Sequence, residues 1–301
     1  MIYAVIDIGS NTVRLSVYKV EGEKVTNLFN EKEQASLKTY VKDGILSEKG
    51  IKRLVETLKK FKSVVDNFED IDQLHPFATA TIRDAVNRNE IMDRIREEVG
   101  LDIEIISGEE EAQLAFIGAS SSVDVGEGIL TDIGGGSSEV VIIDQHKVIK
   151  SASLSIGSLS AFNDYVDGLF ANKDEKKEID SEVKALLASN KIYREEQDLL
   201  CAVGGTARAT LKFYNEYYEK SSDNTSMEAD LLNAMIKDFI TKEPRDILDA
   251  ILAVKPDRVH TLIPGMIILN RISKYFYCKK INISQTGVRE GYVYNKLLER
   301  N

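Results

Sequence analysis

The chain has 301 residues, with 39 Lys and Arg against 49 Asp and Glu and a formal net charge of −10. A field of that sign repels polyanions at long range and excludes nucleic acid polymers as a general partner. Two isolated cysteines, Cys201 and Cys278, and three scattered histidines exclude a thiolate or His-cluster zinc site and fit a reducing compartment.

At this length two domains are expected, with a boundary near residue 122. Residues 2–7 and 13–20 read as strands joined by the IGSN turn. A long helix follows from Ser47 as N-cap, carrying Ile51, Leu54, Val55, Leu58, Phe61, Val65 and Phe68 at helical spacing over a lysine-rich outer face. HPFATATIRDAVN reads as a strand ending in a polar turn that opens a helix. NEIMDRIREEV is a helix stopped by Gly100, LDIEII a strand, and SGEEEAQLAFIGASSS another helix. The pattern restarts with strands at 128–132, 139–144 and 147–155, then a polar-faced helix over NKDEKKEIDSEVKALLAS. CAVGGTARATL is a strand, glycine turn and helix start; 215–226 reads as a surface loop. Helices at 227–241, 244–254 and 262–277, the strand INIS and a closing helix over TGVREGYVYNKLLER complete an alternating α/β pattern. Met1 enters a strand directly without a leader, and no apolar stretch spans a bilayer, so a cytoplasmic chain is expected.

Two stretches carry the chemistry, IDIGSNTVRL and TDIGGGSSEV. Each runs an apolar strand into an Asp, then Ile-Gly and small residues, then a second apolar run. One alone would be a tight hairpin. The repetition instead suggests a duplicated half-domain whose loops face each other across a cleft and offer backbone N–H groups to an anion. In the second stretch Gly134, Gly135, Gly136 and Ser137 form the turn. Asp132 is badly placed to touch phosphate itself and suits a direct or water-mediated ligand of a hard cation, with Glu139 able to share that duty. In the first, Asp7 plays the matching part. Ser10, Asn11 and Thr12 surround the turn, and Arg14 follows it, either forking onto a phosphate or pairing with a nearby carboxylate.

Among three consecutive glutamates, Ser107 and Glu110 fit a capping box and Glu109 a first-turn acid. Glu111 has neither role; facing a cleft it could deprotonate a water, but spacing alone leaves that open. Arg83 sits at a strand-to-helix turn suited to phosphate. Gly204, Gly205 and Thr206 open a further helix whose N-terminus would attract an anion, with Arg208 and Lys212 following. Each of these also reads as a cap or a solvated face.

Taken together, DIGSNTVRL (7–15), ATATIRDAVN (78–87), ISGEEEAQLAFIGA (106–119), DIGGGSSE (132–139), GGTARATL (204–211) and SQTGVREG (284–291) resemble the exopolyphosphatase and guanosine pentaphosphate phosphohydrolase (Ppx/GppA) family. The resemblance covers nearly the whole chain in family order. It implies two ribonuclease-H-like (actin-like ATPase) domains around an interdomain cleft, 1–122 and 123–301, with the helix 288–301 packing back on the first. It also implies Mg²⁺-dependent release of the terminal phosphate from inorganic polyphosphate or pppGpp, with Glu111 as base. Asp132 and Glu139, with Asp7, would be metal or water-positioning residues, Ser10, Asn11 and Gly134–Ser137 the phosphate turns, and Arg83 a phosphate ligand. The implied ligands are polyphosphate or guanosine penta- and tetraphosphate, without a membrane partner, and a homodimer is compatible. A phosphotransferase of the sugar- or acyl-kinase type and a non-catalytic (p)ppGpp sensor are the rivals. Two departures touch substrate preference: Ser160 stands where the family often has Arg, and Arg258-Val259-His260 replaces a usual Arg-Ala-Asp. The chain also ends soon after VREG, as short family members do.

Overall fold

The computed structural model describes residues 1–193 and 197–298. The chain divides into two compact units, one of Met1–Glu111 with Tyr292 onward, the other of Ala112–Gly291.

In the first unit, β1 (Ile2–Ile8), β2 (Val13–Glu21) and β3 (Lys24–Glu33) form an antiparallel meander. The small hairpin of β4 (Val41–Lys42) and β5 (Ile45–Leu46) leads to α1 (Glu48–Asp66). After these come β6 (Gln73–Ala78), the single turn α2 (Ala80–Arg83), α3 (Arg88–Val99), β7 (Glu104–Ile105) and the start of α4 (Gly108–Ser120). The sheet order is β3-β2-β1-β6-β7, with β1 parallel to β6 and β6 parallel to β7. β1 is central, which is why Ala4, Val5 and Ile6 are all fully buried rather than alternating with polar residues. On α1, Leu54, Leu58 and Phe61 supply the core stripe, and the Ser47 hydroxyl accepts from Gly50 N–H at 3.4 Å. Phe68, expected on that stripe, lies beyond the helix. The helix stops at Asp66, and the half-exposed Phe68 ring packs on Phe29 of the edge strand at 5.3 Å.

The second unit repeats this wiring. β8 (Gly128–Ile133), β9 (Ser138–Asp144) and β10 (Lys147–Leu154) form a meander, followed by α5 (Ser158–Tyr165), α6 (Lys173–Ser189) and β11 (Leu199–Val203), the last parallel to β8. Then come α7 (Gly204–Tyr217), β12 (Ser226–Glu228), α8 (Ala229–Phe239), α9 (Pro244–Val254), α10 (Leu262–Tyr275), β13 (Lys280–Ile283) and α11 (Val288–Tyr292). The order is β10-β9-β8-β11-β13-β12. Two expectations are corrected. Residues 215–217 are helical rather than loop, because Phe213 and Tyr214 bury against the core and carry α7 onward. Residues 226–228 form β12 on β13, with Met227 buried.

The chain leaves the first unit inside α4, between Glu111 and Ala112, rather than after residue 122. The reason is the small-residue face. Ala112, Ala115 and Ala119 are buried in a cluster with Leu130, Val141 and Val203 of the second unit. The chain returns inside α11. Instead of one continuous closing helix, α11 is followed by a π-helical segment, Val293–Leu298, and residues 299–301 of the expected helix lie outside the described residues. Tyr292 stacks on the buried Phe77 ring at 4.8 Å, and its hydroxyl donates to Glu104 at 2.6 Å.

Within the second unit α4 and the α11 region touch backbone to backbone. A Cβ added at Gly118 would stand 1.9 Å from the Gly287 carbonyl oxygen, and one at Gly291 would stand 1.9 Å from that of Leu114. No side chain larger than hydrogen fits at this crossing. Among the described residues, no helix is long and apolar enough to cross a membrane.

Candidate active site

The two Asp-Ile-Gly hairpins are superimposable in their bonding. Asp7 lies opposite Arg14 across β1 and β2, and Asp132 opposite Glu139 across β8 and β9. Gly9 N–H donates to the Thr12 carbonyl at 3.2 Å, and Gly134 N–H donates to the Ser137 carbonyl at 2.9 Å, closing equivalent turns. In both units the segment after the third strand then seizes the turn's carbonyls. Lys38 and Ser36 N–H donate to Ser10 and Asn11 at 3.1 and 2.8 Å. Ser158 N–H donates to Gly134 at 2.8 Å, and Leu159 and Ser160 N–H both donate to Gly135 at 2.9 Å.

With the carbonyls held back, the N–H groups of Ser10, Asn11 and Thr12 and of Gly135, Gly136 and Ser137 have no acceptor among the described residues. Ser10, Asn11 and Ser137 are nevertheless 4%, 7% and 5% exposed. Buried backbone donors without acceptors are costly, and successive ones in a turn form a nest for an anion.

Ser160, where the resemblance leads one to expect Arg, has a local role. Its hydroxyl accepts from Gly157 N–H at 2.8 Å, fixing the first turn of the helix that grips the glycine loop. His260 is exposed, its ring 4.8 Å from that of Phe162.

The third glycine turn meets the second. Val203 pairs with Asp132, and α7 begins at once with Gly204 at φ 83°. A Cβ there would stand 2.2 Å from Asp132 Oδ1. Gly204 thus keeps a left-handed backbone and leaves room for the carboxylate. Replacing it with Ala adds about 1–2 kcal/mol of backbone strain and pushes that carboxylate aside. Phosphate release by Gly204→Ala is expected to fall by about tenfold or more with the thermal midpoint lowered by only a few degrees; wild-type turnover would rule out a role for the Asp132 position.

Beside it, a Cβ at Gly205 would stand 2.4 Å from Arg258 Nη2. Burial, reinforced by the charge of Arg208, lowers the Arg258 pKa against the pull of Asp257, yet a guanidinium remains charged. Sequence reasoning met Arg258 only as part of a departure. Its closeness to Gly205 comes from the 3-10 turn Pro256–Arg258, which no spacing rule reveals. Arg208, by contrast, donates to the Gln285 carbonyl at 3.3 Å and so braces the loop after β13. Lys212 is exposed.

In the first unit, β6 ends at α2, and Arg83 on that turn donates through Nη1 to Glu111 Oε2 at 2.9 Å. The two side chains are 15% and 11% exposed. Arg83 Nε also pairs with Asp84 at 3.1 Å. The neighbouring acids are employed elsewhere. Ser107 Oγ accepts from Glu110 N–H at 3.1 Å, one arm of the expected capping box, but the Glu110 carboxylate turns to Lys296 at 2.5 Å. Of the three glutamates, Glu111 is the buried one, and it is aimed at Arg83. Thr81 on the same turn has a buried hydroxyl with no partner among the described residues, a feature the sequence did not flag.

Asp132 and Glu139 are the carboxylates expected at a metal. Glu139 is 1% exposed and accepts from the Ser153 hydroxyl at 2.8 Å. Asp132 lies directly across the strands from it. Among the described residues no group of three or more His, Cys, Asp or Glu could hold a metal unaided. A cation such as Mg²⁺, which keeps several waters and relies on one or two carboxylates plus phosphate oxygens, suits a donor set of this size.

Two duplicated α/β units, each with an Asp-Ile-Gly hairpin in a mixed sheet, have the actin-like ATPase architecture. The family model described as the Ppx/GppA phosphatase family matches residues 16–300, and the chain belongs to that family. A Haemophilus influenzae protein whose name provisionally assigns it as an exopolyphosphatase is 27% identical over 304 residues, covering 99% of this chain and 91% of its own. The crystal structure of an exopolyphosphatase from Cytophaga hutchinsonii shares the fold, with TM-score 0.86 and 23% identity, over 100% of this chain and 98% of that one. The Aquifex aeolicus member of the Ppx/GppA family, at 25% identity and TM-score 0.80, covers 100% of this chain and 99% of its own.

Proposed function

We propose that this phosphatase hydrolyses the terminal phosphoanhydride of inorganic polyphosphate or of pppGpp, with Mg²⁺ as cofactor. The observation carrying this reading is the pair of turns whose carbonyls are tied back and whose N–H groups have no acceptor. A phosphoryl group would take the donors of such a turn, and in the first unit the Arg83 guanidinium would neutralise a phosphoryl oxygen. A phosphate oxygen at Arg83 would compete with Glu111 for the guanidinium and release a carboxylate oxygen for a water. Glu111 then takes the proton as the water oxygen bonds to phosphorus and the bridging P–O bond breaks, giving orthophosphate and a chain shorter by one phosphate. Asp132 and Glu139 would hold Mg²⁺, which supplies charge neutralisation along the phosphate chain. In this reading Asp7 would be a metal- or water-positioning residue of the first turn and Arg14 a phosphate ligand.

A negatively charged surface favours the shorter substrates, and free buried thiols at Cys201 and Cys278 suit a cytoplasmic setting. The test is phosphate release with Mg²⁺ on long polyphosphate, short oligophosphates and pppGpp side by side, without an added acceptor. Turnover of at least one supports the proposal. Release only when an acceptor is added would mean a phosphotransferase, and binding with no release a sensor.

A further inference from the structure

On the helical side of the second unit, α10 packs against both α6 and α8. Each of the three helices contributes residues one turn apart: Lys176 and Asp180 from α6, Asn233 and Lys237 from α8, and Asn270 and Lys274 from α10 together with Arg271. Lys176 Nζ pairs with Asp180 Oδ2 at 2.5 Å, and Arg271 Nε lies 3.5 Å from Asp180 Oδ1 without hydrogen-bond geometry. Lys274 donates to the Asn233 side-chain oxygen. Lys237 stands exposed within electrostatic reach of Lys274. Burial first, and then Lys176, Lys237 and Arg271, push the Lys274 ammonium below its ordinary value against the pull of Asp180.

The cluster has more donors than acceptors. Four cations surround one carboxylate, in a chain whose overall charge is −10. Asn270 is 1% exposed and its Nδ2 has no acceptor among the described residues; neither does the buried Nε of Arg271. Buried donors lacking acceptors, and cations held together in partial burial, both cost free energy that a bound anion would offset. Asp180 does not satisfy them: Lys176 holds its Oδ2, and its buried Oδ1 is itself without a hydrogen-bond partner among the described residues, 3.5 Å from Arg271 Nε.

We propose that this three-helix cluster binds a phosphate-class oxyanion, either free or as part of a phosphate chain, through Lys176, Lys237, Arg271 and Lys274. The site belongs to none of the glycine turns. It lies toward the C-terminal end of α10, whose Gly265 near the other end packs against Thr206.

The test titrates the full chain with inorganic pyrophosphate and, separately, with long-chain polyphosphate, by calorimetry without divalent metal. Wild type is compared with Lys237→Glu, Lys274→Gln and Asp180→Asn. The two cation variants are expected to weaken one binding event about tenfold to a hundredfold, with phosphate release at saturating substrate unchanged. Asp180→Asn should tighten that event, whereas a purely structural ion-pair hub would lose stability without gaining affinity. Weakening with both probes identifies the free anion as ligand, and weakening with polyphosphate alone identifies a chain segment. Unchanged titrations in both cation variants, or no tightening in a folded Asp180→Asn, would overturn the proposal.

Discussion

Replacing Glu111 with Gln is expected to lower kcat for phosphate release by about 10²–10⁴-fold, the usual contribution of a positioned general base. Substrate binding should change little. The amide is nearly isosteric, and its oxygen can still accept from Arg83, so the 2.9 Å contact and the burial of both side chains survive. What disappears is the capacity to take a proton from water. The expected signature is therefore a fall in kcat with KM or direct binding nearly constant, the pattern of an interaction used in the transition state only. Because Glu111 and Arg83 are paired, Arg83→Ala makes a useful contrast: it should weaken binding as well as turnover, leaving a buried carboxylate without its guanidinium. Near-normal turnover by Glu111→Gln would remove Glu111 from the chemistry.

Gly118→Ala, with Gly291→Ala, should be among the most destabilising single methyl additions at the described glycines. Its Cβ would stand 1.9 Å from the Gly287 carbonyl oxygen and 2.9 Å from the Gly291 amide nitrogen. These are backbone atoms, which cannot rotate out of the way as a side chain can. Alanine is worth about 1 kcal/mol more than glycine inside a helix, so an open site would gain stability. Here overpacking, typically about 1–3 kcal/mol and more against rigid backbone, outweighs that gain. The thermal midpoint should fall by several degrees or the chain should fail to accumulate, and Gly291→Ala should behave likewise against Leu114. An unchanged midpoint in Gly118→Ala would mean that the two segments are free to separate.

How much of this was readable beforehand follows from the range of the forces involved. The strands around Asp7 and Asp132, the Ser47 cap and the helix around Leu54 and Phe61 are written in local periodicity and capping, and they appear where expected. Phe68 was misassigned because helical spacing continues by chance past Asp66, while its ring is claimed by Phe29 from a distant strand. The candidate site divides along the same line. Asp132, Glu139 and the glycine turns are consecutive residues, so a motif displays them. The grip of Ser36 and Lys38 on one turn, and of Ser158, Leu159 and Ser160 on the other, is made by backbone groups brought from elsewhere, which side-chain identity cannot report. Arg258 beside Gly205 and Lys296 beside Glu110 are likewise products of tertiary structure. Spacing left Glu111 open among three adjacent acids. The pairing of Glu110 with Lys296, and of Glu111 with Arg83, separates them.

The stacking of Tyr292 on Phe77 sets an order of events during synthesis. The first unit's sheet is made early, yet one of its packing elements is encoded after the whole of the second unit. On the ribosome, where domains generally fold from the N-terminus onward, the face holding Phe77 must wait without Tyr292, and Glu104 and Glu110 without Lys296. The nascent chain therefore carries an unfinished apolar surface until Tyr292 has been made. Its completion ties the segment from Tyr292 onward to a sheet made about two hundred residues earlier.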